Sequence, residues 1–195
     1  MELVVATGNR KKLKEIKTIL SGTPFRIRCL ADFPEIPEPS EDGKNFAANA
    51  VFKAKYYSGK MGRMVLAEDS GLEVKALGGK PGVYSARFAG PKKKDADNIA
   101  AVLKLMKKIP MSKRQASFTS VVCLATPENK IFLFEGKREG IISLKPAGKN
   151  GFGYDPIFFL PEPKKTFAEL SPRQKNALSH RRIALEKVQK FLNAF

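Results

Sequence analysis

Leu3-Val4-Val5-Ala6 is an uninterrupted apolar run, and it constrains the fold more than any other stretch of this chain. A strand with one wet face alternates apolar and polar residues. A strand with no polar position is buried on both faces, so helices must pack on the sheet that holds it. The following residues supply such a helix. After the polar loop Thr7-Gly8-Asn9-Arg10-Lys11, Leu13, Ile16 and Leu20 recur at helical spacing over 12–20.

The pattern continues. A short strand is expected over 26–30, then a loop over 31–43 broken by Pro34, Pro37 and Pro39 and loaded with Glu35, Glu38, Glu41 and Asp42. A helix is expected over 45–61 and a short buried strand over 64–67, which delivers the chain to an acidic turn, Glu68-Asp69-Ser70-Gly71. A Gly-rich loop over 78–90 precedes a helix over 94–109. Strands over 116–125 and 130–136 read as a hairpin turning at Pro127 and Asn129. A second Gly-rich loop, 148–156, leads into a strand over 157–160. Ser171-Pro172-Arg173-Gln174 has a helix N-cap, a proline at the first helical position and a glutamine three residues after the cap. The tail over 178–195 is helical, with Leu185, Val188, Leu192 and Phe195 on one stripe. Interspersed strands and helices place the chain in the α/β class.

The chain has 195 residues, 43% of them hydrophobic, which suits a single domain over 1–195, with one sizeable core or with two lobes. No apolar run nears the roughly 20 residues that span a bilayer. Neither Cys29 nor Cys123 lies in a metal-type spacing, and Cys123 falls inside an apolar run, as a small buried hydrophobe would. A reducing cytoplasm is the expected location. The formal charge is +17, from 36 Lys+Arg against 19 Asp+Glu. The lysines are scattered on the outer faces of expected helices without interleaved aromatics, so nucleic acid is not expected as the main partner. The same positive field would draw in a polyphosphate.

Five places carry chemistry. Thr7 to Lys12 joins a buried strand to a helix start, where free N–H groups and a lysine meet an anion; an ordinary turn reads the same way. Glu68 and Asp69 are adjacent acids at a strand mouth, which repel unless a cation compensates, and hard cations such as Mg²⁺ take carboxylate oxygen. The acidic loop before them could add a second ligand. Lys53 shares a helical stripe with Phe46, Ala50 and Tyr57, and either snorkels outward or reaches a phosphate. Phe152-Gly153-Tyr154-Asp155 sets aromatics and a carboxylate on a bending loop, for base stacking or for core packing. Lys175, His180 and Arg181 are donors suited to carbonyl oxygens, although a lone histidine is more often a core residue. No nucleophile elbow, P-loop or Rossmann fingerprint is present.

In order along the chain these blocks resemble one family. They are Ala6-Thr7-Gly8-Asn9 with Lys12, Glu68-Asp69-Ser70-Gly71-Leu72, Leu77-Gly78-Gly79 with Pro81-Gly82 and Tyr84-Ser85-Ala86-Arg87, Gly151 to Phe158, Thr166 with Ala168-Glu169, and Lys175 with Ser179-His180-Arg181. The chain resembles the inosine triphosphate pyrophosphatases, also called dITP/XTP pyrophosphatases. The resemblance implies an elongated twisted mixed β-sheet with flanking helices, two lobes around a central cleft, and usually a homodimer. It implies Mg²⁺-dependent hydrolysis of ITP, dITP or XTP to a nucleoside monophosphate and pyrophosphate. Thr7, Gly8, Asn9, Arg10, Lys11, Lys12 and Lys53 would hold the triphosphate. Asp69 would be the catalytic carboxylate and, with Glu41, a Mg²⁺ ligand; Glu35 is the alternative second ligand. Ser70 would touch substrate, and Phe152, Gly153, Tyr154, Asp155, Lys175, His180 and Arg181 would frame the base. Position 68 is Glu here and Asp in many bacterial relatives. Hydrolysis of other modified nucleotides, or nucleic-acid binding through the +17 charge, are the other readings.

Overall fold

The computed structural model describes residues 1–194. Seven strands form one mixed sheet in the order β2-β1-β3-β4-β5-β6-β7. They are β1 (Glu2–Ala6), β2 (Arg26–Cys29), β3 (Val65–Val74), β4 (Gln115–Ala125), β5 (Ile131–Ile142), β6 (Phe158–Leu160) and β7 (Lys165–Thr166). The helices are α1 (Arg10–Ile19), α2 (Phe46–Met61), α3 (Asp95–Leu105), α4 (Pro172–Leu178) and α5 (His180–Asn193). The expected mixed sheet with flanking helices is present.

The chain divides into two compact units. The first comprises Met1–Asp69, Ser120–Gly136 and the C-terminal segment from Arg181; the second comprises Ser70–Thr119 and Lys137–His180. In the first, β1 runs parallel to β2 and to β3, with Val4, Val5 and Ala6 opposite Val65, Leu66 and Ala67. Leu3 to Ala6 are buried, as the unbroken apolar run requires. Ile16 and Ile19 of α1 and Leu20 at its C-cap pack with Ala184, Leu185, Val188 and Leu192 of α5 and with Leu66, Val122 and Leu124. Phe195, assigned to the α5 stripe from sequence, lies outside the described residues. In the second unit, Leu72, Val74, Val102, Met106, Phe118, Phe158 and Phe167 form the core. There β6 pairs antiparallel with β5 and β7. Arg114 is 2% exposed, and its guanidinium donates to the carbonyls of Met106, Ile109, Ile142 and Ser143 at 2.7–3.1 Å, tying the end of α3 to the end of β5.

Two sequence expectations change. Glu68-Asp69-Ser70-Gly71 is not a turn; β3 runs through it for ten residues. Its neighbour β4 is eleven residues long and keeps the second half of β3 extended, with Thr119 Oγ1 donating to Glu73 Oε2 at 2.6 Å. The parallel pairing with β1 nevertheless ends at Ala67, so Glu68 is the first residue past the carboxyl end of β1. The second change is at the C-terminal helix. Ser179 is extended and separates α4, which Ser171 caps as expected, from α5, so His180 opens a helix rather than lying inside one.

Candidate active site

In the first unit the acids and lysines gather where β1 ends. Asn9 caps α1: its side chain accepts from the backbone N–H groups of Lys11 and Lys12 at 3.0 and 3.1 Å, and its own N–H donates to Thr7 Oγ1. Gly8, Asn9, Arg10 and Lys11 are exposed and Thr7 half-buried. A Cβ on Gly8 would meet nothing within 4 Å, so space is open beside this loop. Lys12 turns inward, with Nζ 3.9 Å from Glu68 Oε2. Burial lowers its pKa, and the charges of Arg181 and Lys53 add to that effect against the pull of Glu68 and Asp69.

Lys53 does not snorkel. It is buried on α2, and Nζ donates to the Glu68 carbonyl at 2.8 Å while pairing with Glu41 Oε1 at 2.8 Å. Glu68 is buried on β3. Arg181 Nε donates to both of its oxygens at 3.0 Å, and Ser120 Oγ donates to Oε1 at 2.8 Å. Burial alone would raise the Glu68 pKa; the Arg181 and Lys12 charges and these hydrogen bonds outweigh it and hold the carboxyl well below the usual range. Arg181 is itself 1% exposed and also pairs with Glu15 of α1.

Asp69 is set differently. Burial raises its pKa, the Glu41 charge adds to the rise, and the Asn49 hydrogen bond with the Lys53 and Lys12 charges only partly offsets it. Asn49 Nδ2 donates to Asp69 Oδ2 at 2.8 Å. Among the described residues no three His, Cys, Asp or Glu side chains form a group that could hold a metal ion. Mg²⁺, however, takes one or two carboxylates and completes its shell with waters and substrate phosphates. Asp69, held by Asn49 at 2.8 Å, and Glu41, paired with Lys53 at 2.8 Å, are oxygen donors of the type such an ion takes. Glu68 is engaged with Arg181 instead. Glu35, the alternative second ligand, is exposed on the same loop.

The second unit holds the other expected residues. Ser70 begins its share of β3 and is half-buried. Asp155 is buried; its Oδ2 accepts from Lys175 Nζ at 2.6 Å and from the Phe152 N–H at 2.8 Å. Gly151 has φ +79°, and a Cβ there would sit 2.0 Å from Asp155 Oδ2, so only glycine lets the loop close on this carboxylate. The Lys175 ammonium lies 4.4 Å from the centre of the half-buried Phe152 ring. Gly153 N–H donates to Asp95 Oδ2 at 2.7 Å. Tyr154 is a core residue: it is buried and its hydroxyl donates to the Ser85 carbonyl at 2.8 Å. His180 stacks on Phe118, with ring centres 4.8 Å apart at 13°.

Sequence reasoning missed Asn49, Glu15 and Ser120. Asn49 lies one turn before Lys53 on α2, and Glu15 lies three residues after Lys12 on α1, so helical spacing could have flagged both. Ser120 was visible only as the start of an apolar run.

The sequence model of the Ham1 family matches residues 3–191. A dITP/XTP pyrophosphatase from Desulforamulus reducens is 46% identical over 193 residues, covering 99% of this chain and 96% of the relative. One from Shouchella clausii is 50% identical over 184 residues, 94% of this chain and 92% of the relative. Among solved structures, the Staphylococcus aureus Ham1 protein superposes with a TM-score of 0.91 at 37% identity, covering 100% of this chain and 99% of that one. A HAM1 protein from Coxiella burnetii gives 0.93 at 39% identity over the whole of both chains.

Proposed function

This chain belongs to the Ham1 family, and from that premise we propose that it hydrolyses non-standard purine nucleoside triphosphates (ITP, dITP and XTP) to the nucleoside monophosphate and pyrophosphate. The observation that carries the reading is the treatment of two adjacent acids. Arg181 Nε holds both Glu68 oxygens at 3.0 Å, whereas Asp69 is gripped through the Asn49 amide at 2.8 Å, and burial keeps its pKa above the usual value against the Lys53 and Lys12 charges. Pushing neighbouring carboxylates apart in this way suits one to structure and the other to proton transfer. The relatives' activity supports the same reading.

Thr7 to Lys12 and Lys53 receive the triphosphate. Lys12 and Lys53 stabilise charge on its oxygens as it builds. Asp69 orients a water and takes its proton; the water oxygen bonds to the α-phosphorus, the bond to the bridging oxygen breaks, and pyrophosphate leaves with that electron pair. Mg²⁺, held by Asp69 and Glu41, would supply charge neutralisation on the phosphate oxygens.

Phe152 offers a face to the base, and Lys175 and His180 offer donors to a 6-oxo group. Arg181 reaches Glu68 and Glu15, and it is through these contacts that its side chain serves the site. An adenine amino group opposed to such donors leaves a donor unsatisfied, at about 1–3 kcal/mol, or on the order of 10²-fold in selectivity at the upper end. The expected homodimer and cytoplasmic location belong to this same reading. No helix among the described residues is long and apolar enough to cross a membrane.

The test is pyrophosphate release from ITP, dITP, XTP, GTP, ATP and dUTP, with and without Mg²⁺. Release from the first three, dependent on Mg²⁺ and abolished in a folded Asp69→Asn variant, is the expected result. Preference for dUTP, near-normal turnover by the variant, or tight salt-dependent nucleic-acid binding without any release would overturn it.

A further inference from the structure

Asn49 is 2% exposed on α2, and both ends of its amide are engaged. Nδ2 donates to Asp69 Oδ2 at 2.8 Å; Oδ1 accepts from the Gly43 N–H at 2.7 Å. The network fixes the amide's orientation, because a backbone N–H needs an acceptor and a carboxylate needs a donor. Gly43 lies two residues past Glu41, on the loop that carries it. A Cβ on Gly43 would stand 2.4 Å from Asn49 Oδ1 and 2.9 Å from the Asn49 backbone nitrogen, so the loop approaches α2 as closely as glycine alone permits. One turn further along α2, Lys53 reaches Glu41 itself.

We infer that Asn49 is a positioning residue whose two-sided amide sets the Asp69 carboxylate and the Glu41 loop in register with one another. The inference rests on the reaction proposed for Asp69. It assigns Asn49 no proton and no contact with substrate. Its effect runs through the direction of Asp69 Oδ2 and the placement of the loop over 41–43. A carboxylate that swings freely loses the near-attack geometry, and a misplacement of about 1 Å costs on the order of 10²-fold in rate.

The experiment pairs kinetics on ITP with hydrogen exchange at the Gly43 amide, which is read without substrate. In the wild-type protein the Gly43 amide exchanges slowly. Asn49→Ala should make it exchange fast and lower kcat on the order of 10²-fold while KM for ITP stays unchanged. Asn49→Asp keeps an acceptor for Gly43 but sets an oxygen against Asp69; it should retain slow exchange and still lose kcat. Gly43→Ala should reproduce the Asn49→Ala loss, and the double variant should be scarcely worse than either single one, because both break one tie. Normal kcat in Asn49→Asp, fast Gly43 exchange in the wild type, or additive losses in the double variant would each overturn the inference. So would a kcat loss in Asn49→Ala that vanishes once rates are scaled to the folded fraction, which marks a merely structural role. If the wild type released no pyrophosphate from any nucleotide, the proposed reaction would fail, while slow Gly43 exchange would still report the tie.

Discussion

Replacing Arg181 by methionine keeps most of the side-chain volume and removes one charge from a buried network. Glu68, whose side chain is 1% exposed, would keep Ser120 at 2.8 Å and Lys12 at 3.9 Å but lose two Arg181 contacts at 3.0 Å. Stranding one partner of a buried pair costs about 3–5 kcal/mol, and the two remaining partners put this case near 3 kcal/mol. At about 2–4 °C per kcal/mol for a chain of this size, the unfolding midpoint should fall by roughly 6–12 °C at neutral pH. The deficit should depend on pH with a definite sign. The folded Glu68 pKa lies below its ordinary 4.5, so its contribution is complete above that value and drains away as pH falls below it. In the variant, burial dominates and Glu68 folds more readily protonated. The gap between wild type and variant should therefore be widest near neutral pH and shrink on acidification. Thermal unfolding of both proteins near neutrality and again at about pH 4 measures this. A midpoint loss worth less than about 1 kcal/mol, or one equal at both pH values, would refute the account of Glu68 as a structurally paired carboxylate.

Other outcomes follow from single contacts. Gly151→Ala forces a Cβ onto Asp155 Oδ2 at a φ of +79°. It should cost about 1–3 kcal/mol in a denaturant titration and raise KM for ITP by loosening Lys175. Arg114→Met strands carbonyls at the ends of α3 and β5. The unfolding midpoint should drop by the equivalent of about 3 kcal/mol, with KM unchanged at temperatures where the variant stays folded. Lys53→Met removes a cation placed against Glu41 and the Glu68 carbonyl; initial rates should show kcat/KM for ITP falling on the order of 10²-fold.

The sequence made the elements legible wherever one burial pattern ruled. The unbroken apolar run gave β1, the spacing of Ile16 and Leu20 gave α1, and Ser171-Pro172 gave the start of α4. It misled at Glu68 to Gly71, because charged and small residues resemble a turn when their strand neighbour, β4, lies about fifty positions away. Site residues were legible by type but not by partner. Lys53 on an apolar stripe read equally as snorkelling or inward-facing, and only the Glu68 carbonyl and Glu41 decide the matter. Arg181 read as a base-binding donor; its partners Glu15 and Glu68 lie 166 and 113 positions away, a distance no local pattern encodes. Asn49 carried no signal beyond its phase on α2.

The cap on α1 has a consequence for how tightly an anion can be held. The Lys11 and Lys12 amides are already satisfied by the Asn9 side chain. A phosphate arriving there would exchange one acceptor for another rather than fill bare donors, and would gain less by about the 0.5–2 kcal/mol that such a cap is worth. The Asn9 cap itself keeps this helix end from fraying. On the proposed reading the loop trades grip for readiness, and a product that leaves would find its place retaken by the Asn9 side chain.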